Sequence, residues 1–444
     1  MKRFTTFSLM AVATGVATLG FATAASAEVS VETAFIFNTF SFLIHGILVM
    51  WMAAGFSMLE AGLVRTKNTT MQLTKNIALY SIAGLMYWVV GYNLMYMDVT
   101  GWIGTMEWWS ASDVLEGENA FLNDDGNPFY GSASDWFFQM VFVATAASIV
   151  SGTLAERIKL LPFLIFTVVL TGFLYPIQGS WTWGGGWLTE MGFSDFAGST
   201  IVHSVGGWAA LTGAIILGAR KGKYNADGSI NPMPGANLPL ATLGTFVLWM
   251  GWFGFNGGSQ LAMGTGADIV AIATIYMNTN LAAAAGVVAA IILTAILYKK
   301  VDLTMALNGA LGGLVAITAQ PLMPSPGLSI FIGAVGGMLV VFAVPLLDKF
   351  KIDDVVGAIS VHLVAGIWGT IAVCFSTGFE NIGTQLVGIL AIGVFMIVTS
   401  SVVWAILKVS LGLRPSEEDE ALGLDRAECG MEAYPEFGRG SQTI

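Results

Sequence analysis

The sequence predicts an all-α polytopic membrane protein, and three observations support this fold class. Of the 444 residues, 55% are hydrophobic and only 11% are charged, whereas soluble proteins average about 25% charged residues. The mean hydropathy is +0.74. Apolar runs of about 20 residues, each long enough to cross a bilayer as a helix, recur along most of the chain. Together these observations exclude a soluble globular protein.

The charge balance and the cysteines exclude several function classes. Lys and Arg number 18 and Asp and Glu number 29, a net charge of -11, and no polybasic block predicts a nucleic-acid partner. Cys374 and Cys429 are far apart in the sequence and do not form a metal-ligand spacing. We find neither a nucleophile constellation nor a phosphate-binding loop in the sequence. We therefore expect no enzyme activity, no cofactor and no metal site.

The N-terminal segment predicts a secretory signal peptide. Two basic residues, Lys2 and Arg3, precede an apolar stretch that ends in Ala-Ser-Ala before Glu28. This order of basic, apolar and small residues is typical of a cleaved signal. We expect residues 1–27 to be removed and the mature N-terminus to lie outside. The alternative is an uncleaved first helix, which the short length of the run disfavours.

Eleven further apolar segments predict transmembrane helices. They span residues 34–64, 77–97, 136–155, 161–179, 200–219, 240–257, 269–298, 303–320, 327–347, 355–375 and 383–408. The predicted transmembrane domain covers residues 28–411, and a C-terminal tail covers residues 412–444.

The distribution of basic residues predicts the orientation of these helices. Lys and Arg of the mature chain occur only in alternate connections and in the tail. They are Arg65, Lys67, Lys75, Arg157, Lys159, Arg220, Lys221, Lys223, Lys299, Lys300, Lys349, Lys351, Lys408, Arg414, Arg426 and Arg439. The longest of the other connections, residues 98–134, carries only acidic charges. The positive-inside rule therefore places the N-terminus outside and the tail in the cytoplasm.

Two of the three histidines share a local sequence pattern at predicted membrane depth. An ionisable residue inside a membrane is costly and is by default a functional hypothesis. At offsets of -8, -5, -1 and +4, His203 has Asp195, Gly198, Val202 and Gly207, and His362 has Asp354, Gly357, Val361 and Gly366. Because the two helices cross the membrane in opposite directions, the match predicts an inverted repeat of helices one to five and six to ten. The eleventh helix is an addition.

The inverted repeat predicts a role for His203 and His362. Each lies eight residues, about 12 Å, inside a helix end, so the two can meet near the midplane at the interface between repeats. Neighbouring imidazoles can share one proton, but two charges in an apolar site repel each other. The alternative is that each histidine bonds a backbone carbonyl, which we expect for His45 because it has no counterpart.

Polar and aromatic residues near the predicted helix ends favour a small nitrogenous cation as substrate. Asp195 is predicted to cap a helix or to stabilise the pore mouth, and Glu60 can tie neighbouring helices together. Segments 181–187 and 252–259 are rich in tryptophan, phenylalanine and glycine. Tryptophan faces attract cations, and phenylalanine rings can form a dry constriction. Composition alone leaves a water or urea channel open.

Seven stretches carry a resemblance to one family. They are AGFSMLEAGLVRTKN (54–68), the segment 138–142 leading into GTLAERIK (152–159), WGGGWL (183–188), DFAGSTIVH (195–203), GWFGFNGGS (251–259), DDVVGAISVH (353–362) and GLRPSEEDEALGLD (412–425). With them the chain resembles the ammonium transporter family, the Amt proteins related to methylammonium permeases and Rhesus glycoproteins. The resemblance covers essentially all of the mature chain.

The resemblance implies roles for residues on the outer side of a pore. By motif match, the outer recruitment site consists of Trp183, Ser259 and Phe142. Two stacked phenylalanines, Phe142 and Phe255, form a gate. Asp195 supports the recruitment site without touching the substrate.

The resemblance also implies the residues of the pore and the transport function. His203 and His362 are the twin histidines that line the pore, and Trp252 and Gln139 flank it. The implied activity is inward ammonium transport: capture of the cation, deprotonation and conduction of ammonia, with possible separate proton transfer and with methylammonium as an analogue. Two alternatives stay open, an electroneutral Rhesus-type channel for ammonia or carbon dioxide and an ammonium sensor. The short tail, which has no recognisable output domain, argues against the sensor.

The resemblance further implies partners and a location. We expect a homotrimer with one pore per subunit, coupled through the cytoplasmic tail, in a bacterial inner membrane. Proteins of the PII type dock at the cytoplasmic face of some relatives. The tail of this chain departs from the family pattern at Cys429, where related tails usually have histidine, and it continues past Tyr434. A PII-type partner is therefore left open.

Overall fold

The fold is a bundle of membrane-length helices, and a computed structural model describes it over residues 29–436. Ten helices in this range are long and apolar enough to cross a membrane, and an eleventh is shorter. Numbered α1 to α11 in chain order, they are Val31–Leu63, Thr66–Tyr96, Ser132–Thr153, Leu160–Ser180, Ser199–Leu217, Leu238–Gly258, Gly266–Tyr298, Leu303–Thr318, Pro326–Lys349, Ile359–Thr377 and Phe379–Ser410.

These helices confirm the predicted fold class of a polytopic all-α membrane protein. The described residues form no strand, and pair only in two isolated β-bridges within connections. Most helix ends fall within a few residues of the predicted bounds. The predicted signal peptide, residues 1–27, lies outside the described residues.

The prediction for the start of α2 was wrong. The helix begins at Thr66 and not at residue 77, so Lys75 is buried inside a helix and does not belong to a connection. The polar stretch at this position looks like a loop in the sequence, but its side chains have partners on neighbouring helices. Asn76 donates to the carboxylate of Glu60 in α1 at 2.7 Å, and Lys75 donates to a backbone oxygen of α3 at 2.9 Å. These hydrogen bonds allow polar residues to extend a buried helix.

Glycines allow α1 and α6 to pack closely at the centre of the bundle. A Cβ atom at Gly55 of α1 would lie 3.1 Å from the backbone oxygen of Gly244 in α6, and a Cβ at Gly244 would lie 2.3 Å from the backbone nitrogen of Leu59. Small residues promote this kind of close approach between membrane helices. The helices α5 and α10 are neighbours as well. In the predicted repeats α1 corresponds to α6 and α5 corresponds to α10. The central contacts thus join corresponding helices.

The two ends of the bundle differ in charge. The end that we call the acidic face carries the long connection between α2 and α3, residues 97–131. The opposite end, which we call the basic face, carries Arg65, Arg157 and Arg220 together with the C-terminal tail. These names describe only the charges, and the predicted orientation places the basic face in the cytoplasm.

The tail folds against the basic face as two short helices, α12 (Glu417–Leu422) and α13 (Leu424–Cys429). The ammonium group of Lys67 donates to the backbone oxygen of Glu420 at 2.8 Å. The carboxylate of Asp425 accepts from the backbone N–H of Met71 in α2 at 2.8 Å. Both helices of the tail are therefore bonded to the segment that follows α1.

Candidate functional site

A cavity of about 830 Å³ lies at the acidic face and extends into the bundle. Its lining includes Trp183 from the connection between α4 and α5, Phe142 from α3 and Ser259 from the end of α6. Gln139, one turn before Phe142 on α3, also lines it. The structure therefore brings together the residues that the resemblance assigned to an outer recruitment site.

Hydrogen bonds orient the groups that face this cavity. The hydroxyl of Ser259 donates to the backbone oxygen of Phe255 at 2.8 Å, so its lone pairs are available to an N–H donor. The indole N–H of Trp183 donates to the backbone oxygen of Asp195 at 3.0 Å. This bond fixes the Trp183 ring edge-on to Phe142, with centroids 6.0 Å apart. A small cation here meets aromatic rings and a hydroxyl acceptor, the groups suited to bind it.

Two stacked phenylalanine rings close the inner end of the cavity. The centroids of Phe142 and Phe255 lie 4.0 Å apart at an interplanar angle of 28°, and both side chains are buried. Phe138 packs edge-on against Phe142 at 4.8 Å. On its other side Phe255 stacks near His203 at 5.2 Å. An apolar constriction of this kind excludes a hydrated ion.

His203 and His362 meet directly behind the phenylalanine rings. Their Nδ1 atoms lie 3.2 Å apart and their rings are nearly parallel, at 21°. Both side chains are buried, with 0% and 2% exposure. A hydrogen bond between two Nδ1 atoms requires that one of them carries a proton and the other accepts it. The pair therefore holds one shared proton between its rings and leaves Nε2 of each ring for other partners.

A widened helical turn carries each of the two histidines. They lie in the π-helical turns Ser199–Ser204 of α5 and Ile359–Val364 of α10. Such turns are rare and often mark functional sites. Each turn follows a glycine with positive φ, Gly198 at +106° and Gly357 at +83°, a conformation that other residues rarely adopt. The matched sequence pattern thus corresponds to a matched backbone geometry.

Comparison with known proteins establishes the family. A family model described as the Ammonium Transporter Family matches residues 40–434. The chain belongs to this family. It is 39% identical over 426 residues to ammonium transporter Amt2 of Archaeoglobus fulgidus, and the match covers 89% of this chain and 87% of the relative. It is 35% identical over 413 residues to the ammonium transporter of Bacillus subtilis, with 88% and 97% coverage.

Two solved structures support the same family. The structure named Sensor Amt Protein aligns with a TM-score of 0.81 at 36% identity, and the match covers 89% of this chain and 99% of that one. The structure of Mep2 from Candida albicans aligns with a TM-score of 0.75 at 25% identity and covers 88% of this chain and 89% of that one. The predicted family is confirmed, and the chain is a multi-pass membrane protein.

Carboxylates organise both histidine helices of this ammonium transporter family member. Asp195 accepts four backbone N–H bonds from residues 198–201 at 2.8 to 3.0 Å. Asp354 accepts three, from residues 358–360. The first π-helical N–H groups have no acceptor within their own helix, so a carboxylate at this end satisfies them and complements the helix dipole. Asp195 also supplies the backbone oxygen that holds Trp183.

Trp252 and Gln139 take different places beside the pathway. The Trp252 ring stacks on His203, with centroids 4.9 Å apart, and its N–H donates to the hydroxyl of Thr318 at 2.7 Å. Gln139 lies on the cavity side of the phenylalanine rings and donates to Asp135 at 3.2 Å. Trp252 therefore braces a histidine, whereas Gln139 belongs to the outer cavity. The site roles taken from the resemblance stay predictions.

Sequence analysis missed a buried acid in the outer cavity. Asp135 of α3 lines the cavity and is 6% exposed, and it accepts a hydrogen bond from the hydroxyl of Tyr92. Its spacing to Gln139 and Phe142, four and seven residues, places all three on one face of α3. That spacing is the sequence signal that could have identified it.

The third histidine lies away from this pathway. Nδ1 of His45 is 3.0 Å from the hydroxyl of Ser41, and Nε2 is 3.1 Å from the hydroxyl of Tyr276. Both ring nitrogens therefore have hydroxyl partners in the bundle. Among residues 29–436, no cluster of three or more histidine, cysteine or acidic side chains has a metal-binding arrangement.

Proposed function

We propose that this protein transports ammonium by taking up the cation at the acidic face and conducting neutral ammonia past the histidine pair. The observation that carries the proposal is the pair itself: His203 and His362 share one proton, lie buried and stand behind a closed aromatic constriction. The names of its relatives, which are ammonium transporters, support the same substrate.

Capture takes place in the outer cavity. The cation binds between the faces and edges of Trp183 and Phe142 and donates an N–H bond to Ser259. Asp135, about two helical turns closer to the acidic face than Phe142 in the wall of the same cavity, adds negative charge that favours a cation over a neutral solute. Methylammonium has the same charge and retains N–H donors, so we propose it as an analogue.

Passage beyond the phenylalanine rings favours the neutral form. An unpaired charge at membrane depth costs several kcal/mol, and the stacked rings of Phe142 and Phe255 provide no polar partner. The N–H bond of the bound ammonium breaks on the outer side of the rings, and a water molecule in the outer cavity takes the proton and passes it separately to the histidine pair. The neutral ammonia moves between the rings as they shift. The histidine pair then offers a donor and an acceptor to the neutral molecule, and it carries the separated proton along its own hydrogen bond.

The test is a comparison of charge movement and substrate uptake in proteoliposomes. Current on a solid-supported membrane and uptake of labelled methylammonium are measured for the wild type and for the double variant His203→Ala, His362→Ala. We expect a saturable wild-type current that the double variant loses. His45→Gln is the matched control, because it changes a buried histidine away from the pathway, and it should retain the current. Wild-type current in the double variant would contradict the proposal.

An electroneutral channel is the alternative outcome of the same measurement. Uptake of methylammonium without any current in the wild type would show that the substrate crosses as neutral methylamine without its proton. A second candidate, sensing, is favoured by the similar structure named Sensor Amt Protein. Growth of a deletion strain on low ammonium at the wild-type rate would favour sensing over transport.

We also propose the assembly and the orientation that the resemblance implies. The protein is a homotrimer in a bacterial inner membrane, with residues 1–27 removed, the N-terminus outside and the basic face in the cytoplasm. The tail on the basic face is the proposed surface for a PII-type protein. Native mass spectrometry tests the trimer, N-terminal sequencing tests the cleavage, and labelling of introduced cysteines on either face tests the orientation.

A further inference from the structure

A second, small cavity lies on the other side of the histidine pair. Its volume is about 10 Å³, close to the smallest space that holds one water molecule. Its lining includes His362, Glu60 and Asn308, and most of the remaining lining residues are apolar. The ring of Phe56, one turn before Glu60 on α1, lies 6.1 Å from the ring of His362. Glu60 and His362 therefore line the same small cavity.

This small cavity leads toward the basic face. Asn308 and Val356 line it and also line a larger cavity of about 170 Å³. The larger cavity includes Arg220 and Lys223 of the basic face. The two cavities therefore adjoin at the side chains that they share. The cavity that Glu60 lines is therefore next to the cavity at the basic face.

One oxygen of the Glu60 carboxylate receives all of its hydrogen bonds. Asn76 donates to Oε2 at 2.7 Å and Ser151 donates to it at 3.1 Å, and Gln72 donates to it as well. Among the described residues, no donor is bonded to Oε1. The carboxylate is therefore held in place by three donors while its second oxygen keeps the capacity to accept a proton.

A buried cation, Lys75, is joined to Glu60 through Ser151. Lys75 is 1% exposed, and its Nζ donates to the backbone oxygen of Ser151 at 2.9 Å. The hydroxyl of the same Ser151 bonds Glu60, so one residue joins the acid to the base. Nζ also lies 4.9 Å from the ring centroid of Phe163, a favourable cation–π distance. A cation close to a buried carboxylate favours its ionised, proton-accepting form.

The other acid near His362 is less suited to accept a proton. Asp354 precedes the same helix, but its oxygens bond three backbone N–H groups, and the hydroxyl of Thr153 donates to it at 2.9 Å. Asp354 does not line the small cavity. Its contacts are those of a helix cap, whereas Glu60 is the acid that shares a cavity with the histidine.

We propose that Glu60 is the proton acceptor on the basic side of the histidine pair. This inference rests on the proposed function. A proton that enters the pair from the outer side gives the pair one proton more than the shared one. The N–H bond at His362 then breaks, a water molecule in the small cavity relays the proton, and an O–H bond forms on the Glu60 carboxylate. Glu60 loses this proton to water on the basic face, and the pair is left with its single shared proton. Lys75 is a positioning residue whose charge opposes the cost that burial imposes on the ionised Glu60 carboxylate.

The experiment measures charge moved per methylammonium taken up, in proteoliposomes of the full chain. Glu60→Gln keeps the size of the side chain and an acceptor oxygen but cannot take a proton. We expect the ratio of charge to uptake to fall at least tenfold, because neutral methylamine continues to cross while the proton returns to the outer side. Ser57→Ala is the control, since Ser57 lies on the same helix as Glu60, donates only to the backbone oxygen of Ala53 and lines neither of the two cavities, and its ratio should stay within twofold of the wild type.

The ratio of charge moved to methylammonium taken up distinguishes a proton acceptor from a residue with only a structural role. If Glu60 only ties helices together, Glu60→Gln lowers current and uptake in parallel and leaves their ratio unchanged, which overturns the inference. If Glu60→Gln does not fold, Glu60→Asp withdraws the carboxylate from the cavity and should lower the ratio at least fivefold, and an unchanged ratio again overturns it. Uptake without current in the wild type contradicts the proposed proton transfer itself, whereas an unchanged ratio in the variants contradicts only the role of Glu60.

Discussion

Arg220 binds Asp353 through two parallel hydrogen bonds, from Nε at 2.8 Å and from Nη2 at 2.9 Å. Both side chains are buried at the basic face. Arg220 follows α5 and Asp353 precedes α10, so this pair joins the ends of the two helices that carry the histidines. Glu156, 3.4 Å from Nη1 of Arg220, adds a third charge to the group. Bidentate pairing of this kind fixes geometry as well as charge.

The pair predicts a pH-dependent stability. Burial alone would raise the pKa of Asp353, but hydrogen bonds from Arg220 and the charges of Arg157 and Arg220 hold it well below its usual value of 3.8. Because the folded pKa is lowered, the stabilisation is complete above the unfolded pKa and is lost as the pH falls toward the folded value. Asp353→Asn should lower the free energy of unfolding by about 3–5 kcal/mol at pH 7, because it leaves a buried arginine partly unpaired.

Thermal midpoints in detergent at pH 7 and below about pH 4 check this prediction. The difference in thermal midpoint between the wild type and Asp353→Asn should be smaller at the lower pH. Asp348→Asn is the control, since Asp348 pairs with Lys223 in a partly exposed position, where such pairs contribute about 1 kcal/mol or less. Equal midpoints for Asp353→Asn and wild type at pH 7 would contradict the prediction.

The cap at Asp195 predicts coupled effects on stability and capture. Asp195→Ala leaves four buried N–H groups without their acceptor, and we expect a loss of at least about 2 kcal/mol in the free energy of unfolding. The same change loosens the backbone that holds Trp183 and should weaken methylammonium uptake. Asp195→Asn retains one side-chain acceptor and should recover part of the stability. A wild-type thermal midpoint in the alanine variant would contradict the capping role of Asp195.

The contacts of Trp252 predict different outcomes for two substitutions. Trp252→Phe keeps an aromatic ring over His203 but leaves the hydroxyl of Thr318 without its donor, a loss of about 1 kcal/mol. Trp252→Ala leaves a cavity beside His203 and should cost about 3–5 kcal/mol. We expect methylammonium uptake to survive in the phenylalanine variant and to fall sharply in the alanine variant. Equal uptake in both would show that the ring does not position the histidine.

The hydrogen bonds of Glu420 predict that this residue holds the C-terminal tail against the basic face. Its carboxylate accepts from Arg414 at 2.7 Å and from the backbone N–H of Lys221 at 2.7 Å, and its backbone oxygen binds Lys67. Glu420→Ala should free the tail and speed tryptic cleavage at Arg426 severalfold. Glu417→Ala is the matched control, because Glu417 is exposed and pairs only with the Lys221 side chain. Equal cleavage rates in the two variants would contradict this role.

The local sequence pattern predicts the membrane helices because a helix in lipid makes all of its backbone hydrogen bonds within itself. The length of an apolar run is then enough to locate a helix, and most observed bounds agree within a few residues. The predicted start of α2 was wrong because Lys75 and Asn76 look exposed in the sequence. Hydrogen bonds to partners on α1 and α3 offset the free-energy cost of burying these polar side chains.

The candidate site is predictable where residue types repeat along the chain. The matched surroundings of His203 and His362 are enough to predict that the two histidines pair. The distance between their Nδ1 atoms and the stacking of Phe142 on Phe255 depend on helices far apart in the sequence. For Asp135 the only signal in the sequence is its spacing to Gln139 and Phe142 on one face of α3. Its burial beside Tyr92 depends on the packing of α2 against α3.

Hydropathy and short motifs were sufficient for the class of protein, the membrane helices and the family, because these are properties of neighbouring residues. Which polar side chains share a cavity depended instead on how the helices pack. Glu60 and His362 are far apart in the sequence, and their shared space exists because α1 and α10 lie in one bundle. Burial and proton exchange depend on such contacts, which no local pattern contains.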